Sequence, residues 1–238
     1  SSVTKILKAA NSSIYGFRGK IDTVSQAIFH IGFDEVKNLI ISLAIMDLFK
    51  KTKINDYINP VDLWKHSIAA GAISRILGRE MGIQRLENYF VAGVIHDIGK
   101  LFFLRYYPNE YSEVLSLLQE KNISIRDAES EVLGVTHPIV GGLIASAWKL
   151  PPSIANAISY HHIGTVEGTQ VDTLVGSVHL ANIIARSLEL GNAGDNLVPQ
   201  PNPIVVESMK FEDNFLTGKI YDRALLDYEE SVSLFLLN

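Results

Sequence analysis

Residues 92–100 read "AGVIHDIGK" and set His96, Asp97 and Lys100 among the apolar residues Val94, Ile95 and Ile98. A buried helix rarely carries three ionisable groups within five residues, because removing a charge from water is costly unless the charge is paired or used. The surrounding segment, Glu87 to Tyr107, predicts one helix, apolar for most of its length and closed by Pro108, which is expected to be the central and most buried helix. What its three polar groups do depends on where the other histidines lie.

Outward from this stretch, strand signals are scarce and helix starts and stops recur, so the fold class is all-α. Asp22 or Thr23 caps a helix through Ile31 that Gly32 ends, and Asp34 caps the next, running to about Lys50. Asn59 before Pro60 starts a helix that carries His66 and stops at Gly82; proline at the first helical position lacks only an amide hydrogen that has no partner there. Further helices are expected at about 109–121, 125–133, 137–149, 152–162 and 172–190, with Ser124 and Asp127 resembling a capping box and Thr136 preceding His137 and Pro138 at a helix start. The Gly-, Pro- and Asn-rich stretch "GNAGDNLVPQPNPIV" at 191–205 reads as a linker, followed by one or two short helices. The chain thus divides into an N-terminal helical part (1–55), a helical core (56–190), and a linker with a C-terminal helical extension (191–238).

The 238 residues are 47% hydrophobic, enough for one large domain or two smaller ones. A net charge of −5 and a pI near 5.8 give no general attraction to nucleic acid or to an anionic membrane. The chain has no cysteine, which excludes disulfides and thiolate metal sites, leaves imidazole and carboxylate as metal ligands, and fits a reducing cytoplasm. Apolar runs such as "LIISLAIMDLF" at 39–49 are too short to cross a bilayer, and no signal peptide opens the chain. It begins "SSVTKILKAANSS" without Met, so a longer natural protein with a missing upstream part is expected.

The seven histidines are His30, His66, His96, His137, His161, His162 and His179. Most fall on different predicted helices, as a bundle requires to build one site from several elements. Imidazoles with Asp97 would hold iron, manganese or zinc, as one or two divalent ions. Singly, each has a plainer reading: His66 as a boundary residue, His137 as a first-turn residue, and His161 and His162 as helix-ending residues that favour the C-terminal dipole. The joint pattern is what points to a metal.

The order His66, His96 with Asp97, His137, then His161 with His162 resembles the ligand order of the HD superfamily of metal-dependent phosphohydrolases. The blocks "LKAANSSIYG" (7–16), "IDTVSQAIFHIGFDEVKNLI" (21–40), "HDIGK" and "ESEVLGVTHPIVGGLIASAWKLPPSIANAISYHH" (129–162) are similar to the HDOD family, the HD-related output domains of bacterial signalling proteins. The resemblance implies an HD-type helical bundle with additional N-terminal helices, the HD-like core at 56–190, and metal ligands His66, His96, Asp97, His137, His161 and His162. Where HD phosphohydrolases carry a later aspartate, this chain has Asn182 in "VHLANII", a weaker ligand than carboxylate. His179, three residues earlier, either compensates or packs behind the ligands. The Gly-Tyr-Pro loop of the related HD-GYP phosphodiesterases is replaced by "HHIGTVEGTQ".

Two functions follow from the resemblance. One is a regulatory or protein-interaction output module that keeps a metal site and works with signalling partners or an upstream sensory or receiver domain. The other is a metal-dependent phosphohydrolase acting on a nucleotide or other phosphate ester. In the second, Asp97 bridges two ions and Lys100 contacts a phosphate or leaving-group oxygen; a surface lysine snorkelling from a buried helix is the alternative for Lys100. A purely structural bundle, its histidines filling polar niches, is the third reading. Neither nucleic acid nor membrane is expected as a partner. The aromatic run "LFFLRYYPNEY" at 101–111 reads as a partner surface or as core packing, and His30 as an ordinary helix residue.

Overall fold

The protein is described from a computed structural model covering residues 2–11, 19–33, 36–37, 39–41, 43–44, 58–84, 86–166, 171–195, 197–211 and 218–236. Its helices are α1 (Ser2–Ala10), α2 (Val24–Ile31), α3 (Pro60–Glu80), α4 (Glu87–Ile95), α5 (Ile98–Tyr106), α6 (Pro108–Lys121), α7 (Ile125–Leu133), α8 (His137–Ala147), α9 (Pro152–Tyr160), α10 (Thr173–Ser187), α11 (Pro203–Met209) and α12 (Ile220–Leu236). No β-strand occurs among the described residues. Among the described residues no helix is long and apolar enough to cross a membrane.

Local chemistry fixes several helix ends. Of the two caps expected for α2, Thr23 serves: its Oγ accepts from Gln26 N at 3.1 Å, and Gln26 Oε1 accepts from Thr23 N at 3.2 Å. Asn59 Oδ1 accepts from Val61 N at the start of α3. Ser124 Oγ accepts from Asp127 N, but the Asp127 carboxylate takes the Ser124 hydroxyl hydrogen rather than completing the expected box. Of the helix expected from Asp34 to about Lys50, residues 36–37, 39–41 and 43–44 are helical, while Asp34 and 45–50 lie outside the described residues.

The central helix is α3, not the segment after Glu87. It packs against α4, α10 and α12, and every residue from His66 to Gly78 is buried. The reason is its run of small residues, Ser67, Ala69, Ala70, Gly71, Ala72 and Ser74, which lets neighbours approach from all sides. A Cβ on Gly71 would lie 2.8 Å from Phe90 O, and one on Gly93 would lie 2.6 Å from Ala70 O, so α3 and α4 cross glycine to glycine.

The expected single helix from Glu87 to Tyr107 is two helices. α4 ends at Ile95 and α5 begins at Ile98, leaving His96 and Asp97 in the turn between them, with Asp97 at φ −98° and ψ 18°. Successive side chains of an unbroken helix diverge by about 100° around its axis, so His96 and Asp97 would face different neighbours; the break lets both face one point.

Around α3 and α4 the hairpin α8–α9 packs on α4, α5 and α10. A second apolar cluster joins Ile73 and Leu77 of α3 to Ile184 of α10, Val205 and Met209 of α11, and Ile220 of α12. The stretch read as a linker packs down: Asn192 N donates to Asp62 O at 2.9 Å, and Ala193 is 4% exposed. Gly191 has φ +79°, and a Cβ there would overlap the backbone of His66 and Asp62. Residues 191–195 therefore form a strap lying directly on α3 beside His66.

Candidate metal centre

Each end of a helix leaves backbone groups without intrahelical partners, and this protein uses them to orient its histidines. His96 follows the last residue of α4, and its Nδ1–H donates to Gly93 O at 2.6 Å. His161 follows the last residue of α9, and its Nδ1–H donates to Ile158 O at 2.7 Å. Each ring thereby caps its own helix through the carbonyl three residues back and turns Nε2, with its lone pair, inward.

His137 is oriented from the other pole of a helix. It is the first residue of α8, and its backbone N–H, free at a helix start, donates to Glu129 Oε2 at 2.8 Å. Its ring Nδ1 donates to the same carboxylate at 2.7 Å, and the Tyr111 hydroxyl donates to Glu129 Oε1 at 3.0 Å. Glu129 is fully buried, and it takes over the capping role that the Thr136 side chain leaves unfilled. The Tyr111 hydroxyl, buried beside this carboxylate, is pushed well above its ordinary pKa, first by burial and then by Glu129.

Asp97 stands among these rings. Its Oδ2 lies 3.3 Å from His96 Nε2, 3.9 Å from His66 Nε2 and 2.8 Å from Lys100 Nζ. Its Oδ1 lies 3.3 Å from His137 Nε2 and 3.6 Å from His161 Nε2, and His162 Nε2 is 3.0 Å from His137 Nε2. The ligand atoms form two groups, His66–His96–Asp97 and His137–His161–His162, each within a 4.8 Å span. All are buried except His162, which is partly exposed. Burial by itself would raise the Asp97 carboxyl, but His96, Lys100 and the contact from His137 outweigh it and hold the carboxyl well below the usual carboxylate range. Burial, reinforced by neighbouring imidazoles, pushes His66, His161 and His162 well below their ordinary value, so these rings are neutral and able to donate a lone pair.

The arrangement fits a metal. His96 Nε2, Asp97 Oδ1 and His161 Nε2 are buried and make no hydrogen bond among the described residues, while the other nitrogen of each of these two rings is tied to a backbone carbonyl. Three such atoms around one point are costly in a folded core unless a cation takes them up. All six residues expected as ligands are brought together. Lys100 is 1% exposed and donates to Asp97 Oδ2 and to Ala193 O, each at 2.8 Å, so it is no surface lysine but ties the centre to the strap. Asn182 stands where the resemblance put it, with Oδ1 3.0 Å from His66 Nε2. His179 does not replace it: its Nδ1 donates to His161 O and its Nε2 accepts from Asn202 N, so both nitrogens are spent holding the loop behind His161. His30 lies exposed on α2, outside both groups.

Sequence reading gave no role to Glu129 or Gly99. Glu129 lies within the motif block 129–162, eight residues before His137, and that placement was its signal. Gly99 is explained by contact: a Cβ there would overlap the His137 carbonyl oxygen, so it lets α5 and α8 bring Asp97 and His137 together.

Comparisons with known proteins show the family and the fold. The HDOD domain family model matches residues 3–163, ending before α10, so Asn182 and the strap lie beyond the match. An HDOD domain protein of unknown function from Geobacter sulfurreducens, solved by crystallography, is 27% identical with a TM-score of 0.83, over 99% of this chain and 82% of that one. A provisionally described metal-dependent phosphohydrolase from Shewanella amazonensis shares the fold at 20% identity and a TM-score of 0.65, over 98% of this chain and 80% of that one. An uncharacterized protein of Treponema pallidum (strain Nichols) is 25% identical over 188 residues, which are 79% of this chain and 36% of that protein. The chain spans about a third to a half of the length of the curated relatives it matches. With a family match over most of its length and a closely superposing HDOD structure, this chain belongs to the HDOD domain family.

Proposed function

We infer that this chain is a bacterial, cytoplasmic signal-transduction output domain that holds a divalent metal and acts through contacts with signalling proteins or an upstream sensory or receiver domain. The observation that carries the reading is the trio of unpartnered buried atoms, His96 Nε2, Asp97 Oδ1 and His161 Nε2, the two rings being held in place through Nδ1 by helix-end carbonyls. His66, His96 and Asp97 would hold one ion and His137, His161 and His162 a second, with Asp97 Oδ1 3.3 Å from His137 Nε2 and 3.6 Å from His161 Nε2 as a shared donor. Support for a regulatory role comes from Asn182, a neutral amide beside His66 where a carboxylate would bind a cation more strongly. Elemental analysis of the purified chain, with a phosphoester panel after loading with iron, manganese or zinc, tests it. Bound metal without turnover is expected; a metal-free chain that takes up none of the three ions refutes the centre.

A second reading, a metal-dependent phosphohydrolase, is favoured by Lys100, a buried ammonium 2.8 Å from Asp97. A divalent cation in such a site polarises phosphoryl oxygens and makes water a stronger acid. In this reading Asp97 holds the cationic cluster together, and Lys100 stabilises negative charge on the phosphate or leaving group. Turnover abolished by His96→Ala, in protein that stays folded, would decide for it.

A further inference from the structure

A cavity of about 420 Å³ opens beside the centre, between the end of α10 and the strap. Its floor is buried: His66 is 1% exposed and the Arg186 and Asp195 side chains are 5% and 3% exposed. Its rim is exposed and includes Ser187, Glu189 and Asn192. The cavity thus runs from the surface to a face of His66, and its size lies within the range of small-molecule sites.

Arg186 gives the floor its chemistry. The guanidinium forms an ion pair with Asp195 through Nη2, which also reaches Asp195 O, while Nε is buried and makes no hydrogen bond among the described residues. Asp195 is itself fixed, since its Oδ2 accepts from Ile125 N at the start of α7. The carboxylate therefore engages Nη2 and leaves the Nε–H without an acceptor. A buried N–H without an acceptor calls for one, and the planar fork of arginine matches the oxygens of a phosphoryl group. The charge of Arg186 reaches His66, Lys100 and Asp97, so an anion here would also feel Lys100 and any cation at the centre.

We propose that this cavity is a binding site for a small phosphate-bearing molecule, with Arg186 as the group that grips the phosphoryl oxygens and the 191–195 strap as its wall. The assignment rests on the metal-centre reading only for the neighbouring cation; the Arg186 contact stands without it. Asp195 orients the fork but also places a negative charge in the cavity, so it opposes an anionic ligand while positioning the arginine. Lys100, through Ala193 O, ties the wall of this site to Asp97, so occupancy of the cavity and the geometry of the centre are mechanically joined.

Calorimetric titration of the metal-loaded and the metal-stripped chain with inorganic phosphate tests the proposal, with metal content measured in parallel. Asp195→Asn is expected to tighten phosphate binding several-fold. Because Arg186→Met alone strands Asp195 in the core, the loss is read in Arg186→Met combined with Asp195→Asn, which leaves no unpaired buried charge and is expected to weaken phosphate by about tenfold or more at unchanged metal content. Phosphate affinity equal to the parent's in the double variant, or a loss in Asp195→Asn as large as in the double variant, overturns the site. If the parent binds no metal yet loses phosphate affinity in the double variant, the centre fails and the cavity assignment stands. If metal loads normally and phosphate binds neither form, the cavity assignment fails and the centre stands.

Discussion

Asp97 turns one oxygen toward each of two histidine groups, and the groups are built differently. On the Oδ1 side, His137 is backed by the buried Glu129 carboxylate, and His161 by a helix-end carbonyl with His179 bracing the loop behind it. On the Oδ2 side, His96 has the same carbonyl support, but His66 has its Nε2 beside a neutral amide, Asn182, and faces an open cavity. A ligand whose other ring nitrogen is held by an anion is both better oriented and more basic. In the proposed centre the Oδ1 side is therefore expected to be the tighter half and the Oδ2 side, which borders the cavity, the weaker one.

The most severe way to break this comparison is to remove what both sides share. Asp97→Ala should abolish metal uptake and, by leaving Lys100 buried without its anion, cost about 3–5 kcal/mol of stability in denaturant titration; metal retained at the parent's level would contradict the shared role. Glu129→Gln acts on one side only, and competition with a chelator should show the tight site weakened by about 10–100-fold. An equal loss at both sites would show that the sides are not distinct.

Asn182→Asp sharpens the contrast from the other side. After dialysis the parent should keep about one equivalent of divalent metal and the variant about two, because a carboxylate then replaces the amide beside His66. Unchanged stoichiometry would mean that Asn182 does not limit the weaker half. A further test is in pH. In the metal-free chain His66, His161, His162 and His179 have folded-state pKa values lowered by burial from the ordinary 6.5. Below 6.5 the unfolded chain binds protons that the folded chain does not, so stability falls as pH drops through that window toward the lowered values. Thermal melts of the stripped protein should move down in temperature from pH 7.5 to about 5.5, and a melting temperature that rises over this interval would contradict the buried, neutral state of these rings.

How much of this was legible in the chain differs by feature. A cap at Asp22 or Thr23, Asn59 before Pro60 and the stop at Gly32 depend on local backbone chemistry, so they could be read before any packing was known, while the choice of Thr23 came from the structure. The ligand order could also be read, because the motif blocks carry it in sequence. The break at His96–Asp97 could not: the local pattern is helical throughout, and the bend is chosen because the rings must converge on partners 30 to 65 residues away. Composition marked 191–205 as a linker, since Gly, Pro and Asn signal irregular backbone without saying what that backbone touches.

The sequence by itself determined an all-α chain, several of its helix ends and the histidine–aspartate series, because these depend on near neighbours and on residue chemistry. Only the tertiary structure decided that α3 is the central helix, that Glu129 holds His137, that Lys100 is buried, and that Gly191 lays a strap and Arg186 across the flank of His66. These depend on which distant surfaces are in contact and on which buried polar atoms are left without partners, and neither is a property of any local stretch of chain.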